Sequence, residues 1–80
     1  MILIDQYGHL VTDSDLDELH EFAKKLGLKR SWFQISGNQI FHYDLTTARK
    51  REQALALGAI FVDGREVVRR AIRKENDQVR

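Results

Sequence analysis

The chain has 80 residues, 42 % of them apolar and 31 % charged, with a formal net charge of +1. That is ordinary globular composition for one small domain with a marginal core, which self-association into a homo-oligomer would help to stabilise. Near-neutral charge disfavours nucleic acid as a partner, and the absence of cysteine excludes disulfides, thiolate chemistry and a Cys-based zinc site.

Ile2-Leu3-Ile4 reads as a short buried strand. The run lacks a basic leader and soon meets Asp5, so it is not expected to be a signal peptide, and no apolar stretch approaches the roughly 20 residues of a membrane span. The expectation is a soluble, cytoplasmic protein without membrane contact. Tyr7-Gly8 marks a turn, and the β-prone residues 9–12 (His-Leu-Val-Thr) follow as a second strand.

Ser14 with Asp17 three residues later forms an acidic capping box, and Asp15, Asp17 and Glu18 load the first turn of the predicted helix with negative charge. Leu16, Leu19, Ala23 and Leu26 recur at helical spacing, with Phe22 at the flank, and Gly27 stops the helix. His20 interrupts this apolar stripe, where a polar ring must find partners or cost stability.

Residues 32–35 and 40–43 read as two strands around Ser36-Gly37-Asn38-Gln39, with Gly37 at the first turn position of a tight hairpin. A second helix is predicted from Thr46 or Thr47 to about Leu57, closed by Gly58. Residues 59–62 read as a buried strand. Asp63 with Glu66 then opens a third helix whose stripe is Val67 or Val68, Ala71 and Ile72. The predicted fold is α/β or α+β, one domain over 1–80, with a mixed four- to five-stranded sheet, about three helices and a frayed tail over 76–80.

Candidate chemistry centres on the histidines. On an extended strand His42 and Asp44 share a face, while Phe41 and Tyr43 take the other. A carboxylate beside an imidazole orients the ring and raises its basicity, as a general base, a metal-ligand pair or a ligand hydrogen bond requires. If the hairpin packs beneath the first helix, His20 and His42 converge, with His9 joining from the second strand and Asp5 nearby. His9, His20, His42 and Asp44 are therefore the candidate metal ligands, and His42, Asp44 and His20 the candidate catalytic groups. No established metal-ligand spacing or other cofactor motif is present, though a divalent metal fits the residue types. The plainer alternative is that each histidine is a buried, satisfied side chain and that Asp44 caps the second helix.

The second helix starts on cations, Arg49-Lys50-Arg51, where the helix dipole prefers anions. Free amides, the hydroxyls of Thr46 and Thr47, and Arg49 or Arg51 could cradle a phosphate. The alternative is a solvated basic face with an extended side chain reaching acidic residues elsewhere, such as Glu52 or Asp44. Trp32 could stack on a base, with Gln34 reading its edge, though such aromatics more often belong to the core.

Taken together, Glu18-Leu19-His20, Phe22-Ala23, Leu26-Gly27, Phe33-Gln34, His42-Tyr43-Asp44, Arg51, Ala54, Gly58-Ala59 and Arg65-Glu66 resemble an uncharacterised domain-of-unknown-function family of short bacterial and phage proteins. The resemblance covers roughly residues 9–68. It implies that His9, His20, Gln34, His42, Tyr43 and Asp44 act together, and names no substrate. Family members carry a longer aromatic- and Arg-rich segment before the first of these histidines, where this chain has Gln6-Tyr7-Gly8, so contacts from that segment are not carried over.

The function expected is binding of a small phosphorylated ligand, a nucleotide or nucleotide-derived signal. Thr46, Thr47 and Arg49 or Arg51 would hold phosphate, while His20, Gln34, His42 and Asp44 bond the sugar or base and Tyr43 or Trp32 stacks; His9 is a further candidate ligand-binding residue. A phage protein that sequesters a host signal would fit. The rivals are a small His/Asp-centred hydrolase or phosphoryl-transfer enzyme, metal-assisted or not, and an interaction module with structural histidines.

Overall fold

A computed structural model describes residues 1–75. In chain order the elements are β1 (Ile2–Ile4), β2 (His9–Thr12), α1 (Leu16–Lys25), a 3₁₀ turn (Arg30–Trp32), β3 (Gln34–Ile35), β4 (Phe41–Asp44), α2 (Ala48–Ala56), β5 (Ile60–Phe61) and α3 (Gly64–Arg70). The strands form one mixed sheet in the order β3-β4-β2-β1-β5, in which only the β1–β5 pair is parallel. The fold is the predicted small sheet with three helices. Among the described residues no helix is long and apolar enough to cross a membrane.

The β1–β2 hairpin turns through Gly8, whose φ is +88° and whose backbone abuts that of Leu45. Leu45 N–H donates to the Gly8 carbonyl at 2.8 Å, and a Cβ at Gly8 would lie 2.3 Å from the Leu45 carbonyl oxygen. Only glycine combines that φ with so close an approach.

Helix α1 is capped by Asp15, not Ser14: the Asp15 carboxylate accepts the Glu18 N–H at 2.9 Å. Ser14 is engaged one residue too early for the cap, because its own N–H donates to the Thr12 hydroxyl at 3.1 Å and its hydroxyl donates to Glu18. Leu19, Ala23 and Leu26 are buried as the spacing predicts, and Gly27, with φ +85°, ends the helix.

Three other expectations are corrected. The β3–β4 hairpin is shorter than predicted, with Trp32 in the 3₁₀ turn, and its left-handed residue is Gln39 (φ +72°) and not Gly37. Strand β5 is not buried: Ile60 and Phe61 are 46 % and 58 % exposed, because β5 is an edge strand, and Ala59 is the neighbour that is buried. Helix α3 stops at Arg70, and Ala71 turns extended (φ −66°, ψ 143°). Residues 71–74 then run as a strap between β2 and β4. Ile72 N–H donates to the Thr12 carbonyl (2.9 Å), Phe41 N–H to the Ile72 carbonyl (3.4 Å) and Lys74 N–H to the Gln39 carbonyl (2.8 Å). Backbone bonds to the sheet replace those that a longer helix would have made. The predicted frayed tail over 76–80 lies outside the described residues.

Strand alternation divides the core into two layers. On one face Ile2, Ile4, Leu10, Tyr43 and Leu45 pack with Leu19, Ala23 and Leu26 of the α1 segment and Ala54 of α2. On the other, Leu3, Val11 and Ile40 pack with Val67 of α3 and Ala71. Two helices cover the first face. The seven-residue α3 covers only part of the second.

Candidate functional site

The part of the second face that α3 leaves open is a cleft of about 840 Å³. The β2–β4 register, with His9 opposite Asp44, brings His9, His42 and Asp44 onto this face from two adjacent strands. The rings of His9 and His42 lie edge to face with centroids 5.8 Å apart. Both line the cleft, together with Asp5, Tyr7, Val67 and Val68, and Arg65 and Arg69 stand on its α3 side.

Each imidazole is held through Nδ1. Asp5, at the end of β1, is 2 % exposed. Its Oδ1 accepts the backbone N–H groups of Tyr7 (3.0 Å) and His9 (2.9 Å), and its Oδ2 lies 2.8 Å from His9 Nδ1. His42 Nδ1 lies 3.1 Å from the carbonyl oxygen of Ile40. A carboxylate and a carbonyl only accept, so in each neutral ring Nδ1 carries the proton and Nε2 keeps its lone pair. The two Nε2 atoms face the same oxygen, Asp44 Oδ1, at 3.5 Å from His42 and 4.0 Å from His9. Among the described residues no three histidine or acidic side chains already stand close enough to enclose a metal ion.

His20 does not join them. Its Nδ1 is hydrogen-bonded to the Tyr43 hydroxyl at 2.8 Å, and its ring meets Phe33 edge to face at 4.7 Å. Tyr43 alternates to the face opposite His42, so His20 lies across the sheet from the other two histidines. Burial holds the His20 pKa below its ordinary value, with the nearby Arg30 charge adding to the effect, and burial pushes the Tyr43 hydroxyl up. Tyr43 is 1 % exposed, so it is a core residue and cannot stack on a ligand.

At the start of α2 the cations reach backbone carbonyls and not the acidic side chains expected. Thr47 is the N-cap and accepts the Lys50 N–H at 3.1 Å. Lys50 Nζ donates to the Leu26 carbonyl at the C-terminus of α1 (2.6 Å), where the helix dipole favours a cation. Arg51 donates to the Leu45 carbonyl at 3.1 Å. Two of the three cations therefore serve backbone acceptors, while Arg49 and Thr46 are exposed. Gln34 is exposed and in register with His42. Trp32 is 47 % exposed beside Lys29 and does not line the cleft.

Sequence reasoning brought Asp5 near the site without giving it a role; the Asp5/His9 spacing around a Gly8 turn was the available signal. It missed Tyr7, Arg65 and Arg69. The arginines reach the cleft because burying Val67 turns the next face of α3 toward it, and that choice between Val67 and Val68 is made by packing.

A family described as protein of unknown function (DUF4031) matches residues 4–74 of the chain. No curated protein and no solved structure matches it.

Proposed function

The chain belongs to the DUF4031 family, and we propose that it binds a small phosphorylated ligand, a nucleotide or nucleotide-derived molecule, in the cleft beside α3. One observation carries this reading: a single cleft of about 840 Å³ gathers two imidazoles, two arginines and an exposed tyrosine. That volume suits a ligand of nucleotide size. Arg65 and Arg69 are exposed, and their ion pairs with Asp63 (3.5 Å) and Glu66 (3.0 Å) are solvent-screened, so a phosphate can compete for both guanidinium groups. They take the role that the start of α2 does not fill. His9 and His42, which line the cleft, would bond the sugar or base, and Tyr7, 68 % exposed, offers a ring to stack on, whereas Asp44 and Gln34 are not among the lining residues.

Isothermal titration against a panel of linear and cyclic nucleotides tests the reading. The expected result is saturable binding to at least one member, weakened at least tenfold by an Arg65→Glu/Arg69→Glu double substitution. A silent panel, with no nucleotide released when the purified protein is denatured, removes the proposal.

A second reading has its own support. A buried carboxylate fixing one nitrogen of a cleft-facing imidazole is how a general base is oriented, which favours hydrolysis or phosphoryl transfer with His9 as base. It requires turnover of a phosphorylated substrate that His9→Ala abolishes.

A further inference from the structure

We infer that the end of the molecule built from the C-terminus of α1, the 3₁₀ turn and the start of α2 binds single-stranded nucleic acid, with phosphates held by Lys24, Lys25, Lys29, Arg30 and Arg49 and a base stacked on Trp32.

The net charge of +1 conceals a division along the chain. Residues 1–21 hold six acidic groups and no lysine or arginine, whereas residues 22–51 hold seven lysines and arginines and one acid, Asp44. That acid lies beside His9 and His42, on the face of the sheet that carries the cleft. The expectation against nucleic acid rested on the sum of the charges, but a polyanion responds to the charge that is local to it.

The fold gathers the seven cations without neutralising them. Lys50 Nζ, held by the Leu26 carbonyl, ties the start of α2 to the end of α1, and Lys25, Gly27 and Lys50 line an open hollow of about 370 Å³ there. The 3₁₀ turn follows and lies against α1: the Arg30 guanidinium sits over the Phe33 ring, 5.0 Å from its centroid, and that ring meets His20. Lys24, Lys25, Lys29, Arg30 and Arg49 are exposed. Among the described residues none of the seven pairs with a carboxylate, while Arg65, Arg69 and Arg70 of α3 each do. Lys50 and Arg51 bond neutral carbonyls, which leaves their charge in place. Phosphates relieve the repulsion among these groups.

Trp32 selects the kind of polyanion. Its indole is half-exposed on the same turn, with Lys29 Nζ over the ring at 5.7 Å. An aromatic ring set among cations is how proteins hold unpaired bases, and it offers nothing to an acidic peptide or to a duplex whose bases are already stacked. A membrane surface would instead take the apolar face of a helix, and that of α1 is buried in the core through Leu19, Ala23 and Leu26. The surface is separate from the cleft, which neither Trp32 nor any of these seven cations lines, so the inference stands whichever molecule the cleft accepts.

Trp32 is the single tryptophan of the chain, so its fluorescence in the wild-type protein reports stacking without any variant. The probe is an oligothymidylate of about 12 nucleotides in about 50 mM NaCl. The expected result is saturable quenching that weakens as salt rises, with log K falling against log salt at a slope of about −2 to −3.5, as three to five phosphate contacts require. Affinity should fall at least tenfold in a Lys29→Glu/Arg30→Glu double substitution and at least fivefold in Trp32→Ala, the latter read by the anisotropy of a labelled strand. Arg65→Glu/Arg69→Glu should leave it unchanged, which separates this surface from the cleft. No quenching at low salt overturns the inference. So does equal binding of polyglutamate, tighter binding of a duplex than of the single strand, or a Trp32 response to phosphatidylserine vesicles and not to the oligonucleotide.

Discussion

The two faces of the sheet use the same residue type for opposite ends. On the α1/α2 face, His20 bonds Tyr43 and lies against Phe33, and burial favours its neutral form. On the α3 face, His9 and His42 are each held at one nitrogen and turn the other toward Asp44 at the cleft. Strand β4 serves both: Phe41 and Tyr43 point to the first face, His42 and Asp44 to the second. What separates a structural histidine from a candidate site histidine here is how much helix covers its side of the sheet. Two helices close one side, and one helix of seven residues leaves the other partly open.

The sharpest way to break this comparison is to truncate neighbours in β4. Tyr43→Ala removes the largest fully buried side chain and should cost about 3–5 kcal/mol in denaturant unfolding, as loss of a core aromatic does. Asp44→Ala, next in sequence but on the cleft side, should stay within about 0.5 kcal/mol of wild type. Equal losses would mean that the faces do not differ as described.

Gly8→Ala asks whether the hairpin that presents His9 depends on the approach to Leu45. It forces a Cβ against the Leu45 carbonyl at φ +88° and should destabilise by roughly 1–3 kcal/mol, read as a lowered melting temperature. Tyr43→Phe keeps the ring and deletes the bond to His20, at an expected cost of about 1 kcal/mol.

His20 also sets a pH signature. Its folded pKa lies below its unfolded value of 6.5, so its contribution to stability is complete above pH 6.5 and declines as pH falls from there through the lower folded value. Urea midpoints for wild type should drop between pH 7.5 and 5, and His20→Gln should flatten that segment.

The smallest effect expected is at Glu18, whose pKa is lowered to about 2, first by the hydrogen bond from the chain's amino terminus and then by those from Ser14 and Thr12. Its stabilisation is present above pH 4.5 and lost as pH falls toward 2. Glu18→Gln should make the acid limb shallower, which separates acid loss at the α1 end from any effect in the cleft.

Much of the scaffold was legible. Gly8, Gly27 and Gly58 announced three chain reversals, and all three have positive φ. The Leu19/Ala23/Leu26 spacing gave the buried stripe of α1, and alternation in residues 41–44 separated His42 from Tyr43. The gathering of all three histidines was not legible, because it depends on which side of the sheet α1 occupies. Nor was the edge position of β5, since Ile60 and Phe61 read the same in a covered strand as in an exposed one. The end of α3 at Arg70 escaped as well: the apolar spacing continues through Ala71 and Ile72, and backbone bonds to β2 and β4 break the helix there.

The sequence by itself determined the order of the elements, the reversals at Gly8, Gly27 and Gly58, the Asp63 cap of α3 and the sharing of one strand face by His42 and Asp44, because these follow from interactions between residues a few positions apart. Tertiary structure alone decided that His9 meets His42 while His20 does not, that Lys50 and Arg51 serve backbone carbonyls, and that Arg65 and Arg69 border the cleft. Those outcomes depend on strand order and on which helix covers which face, and both are fixed by contacts between residues distant in the chain.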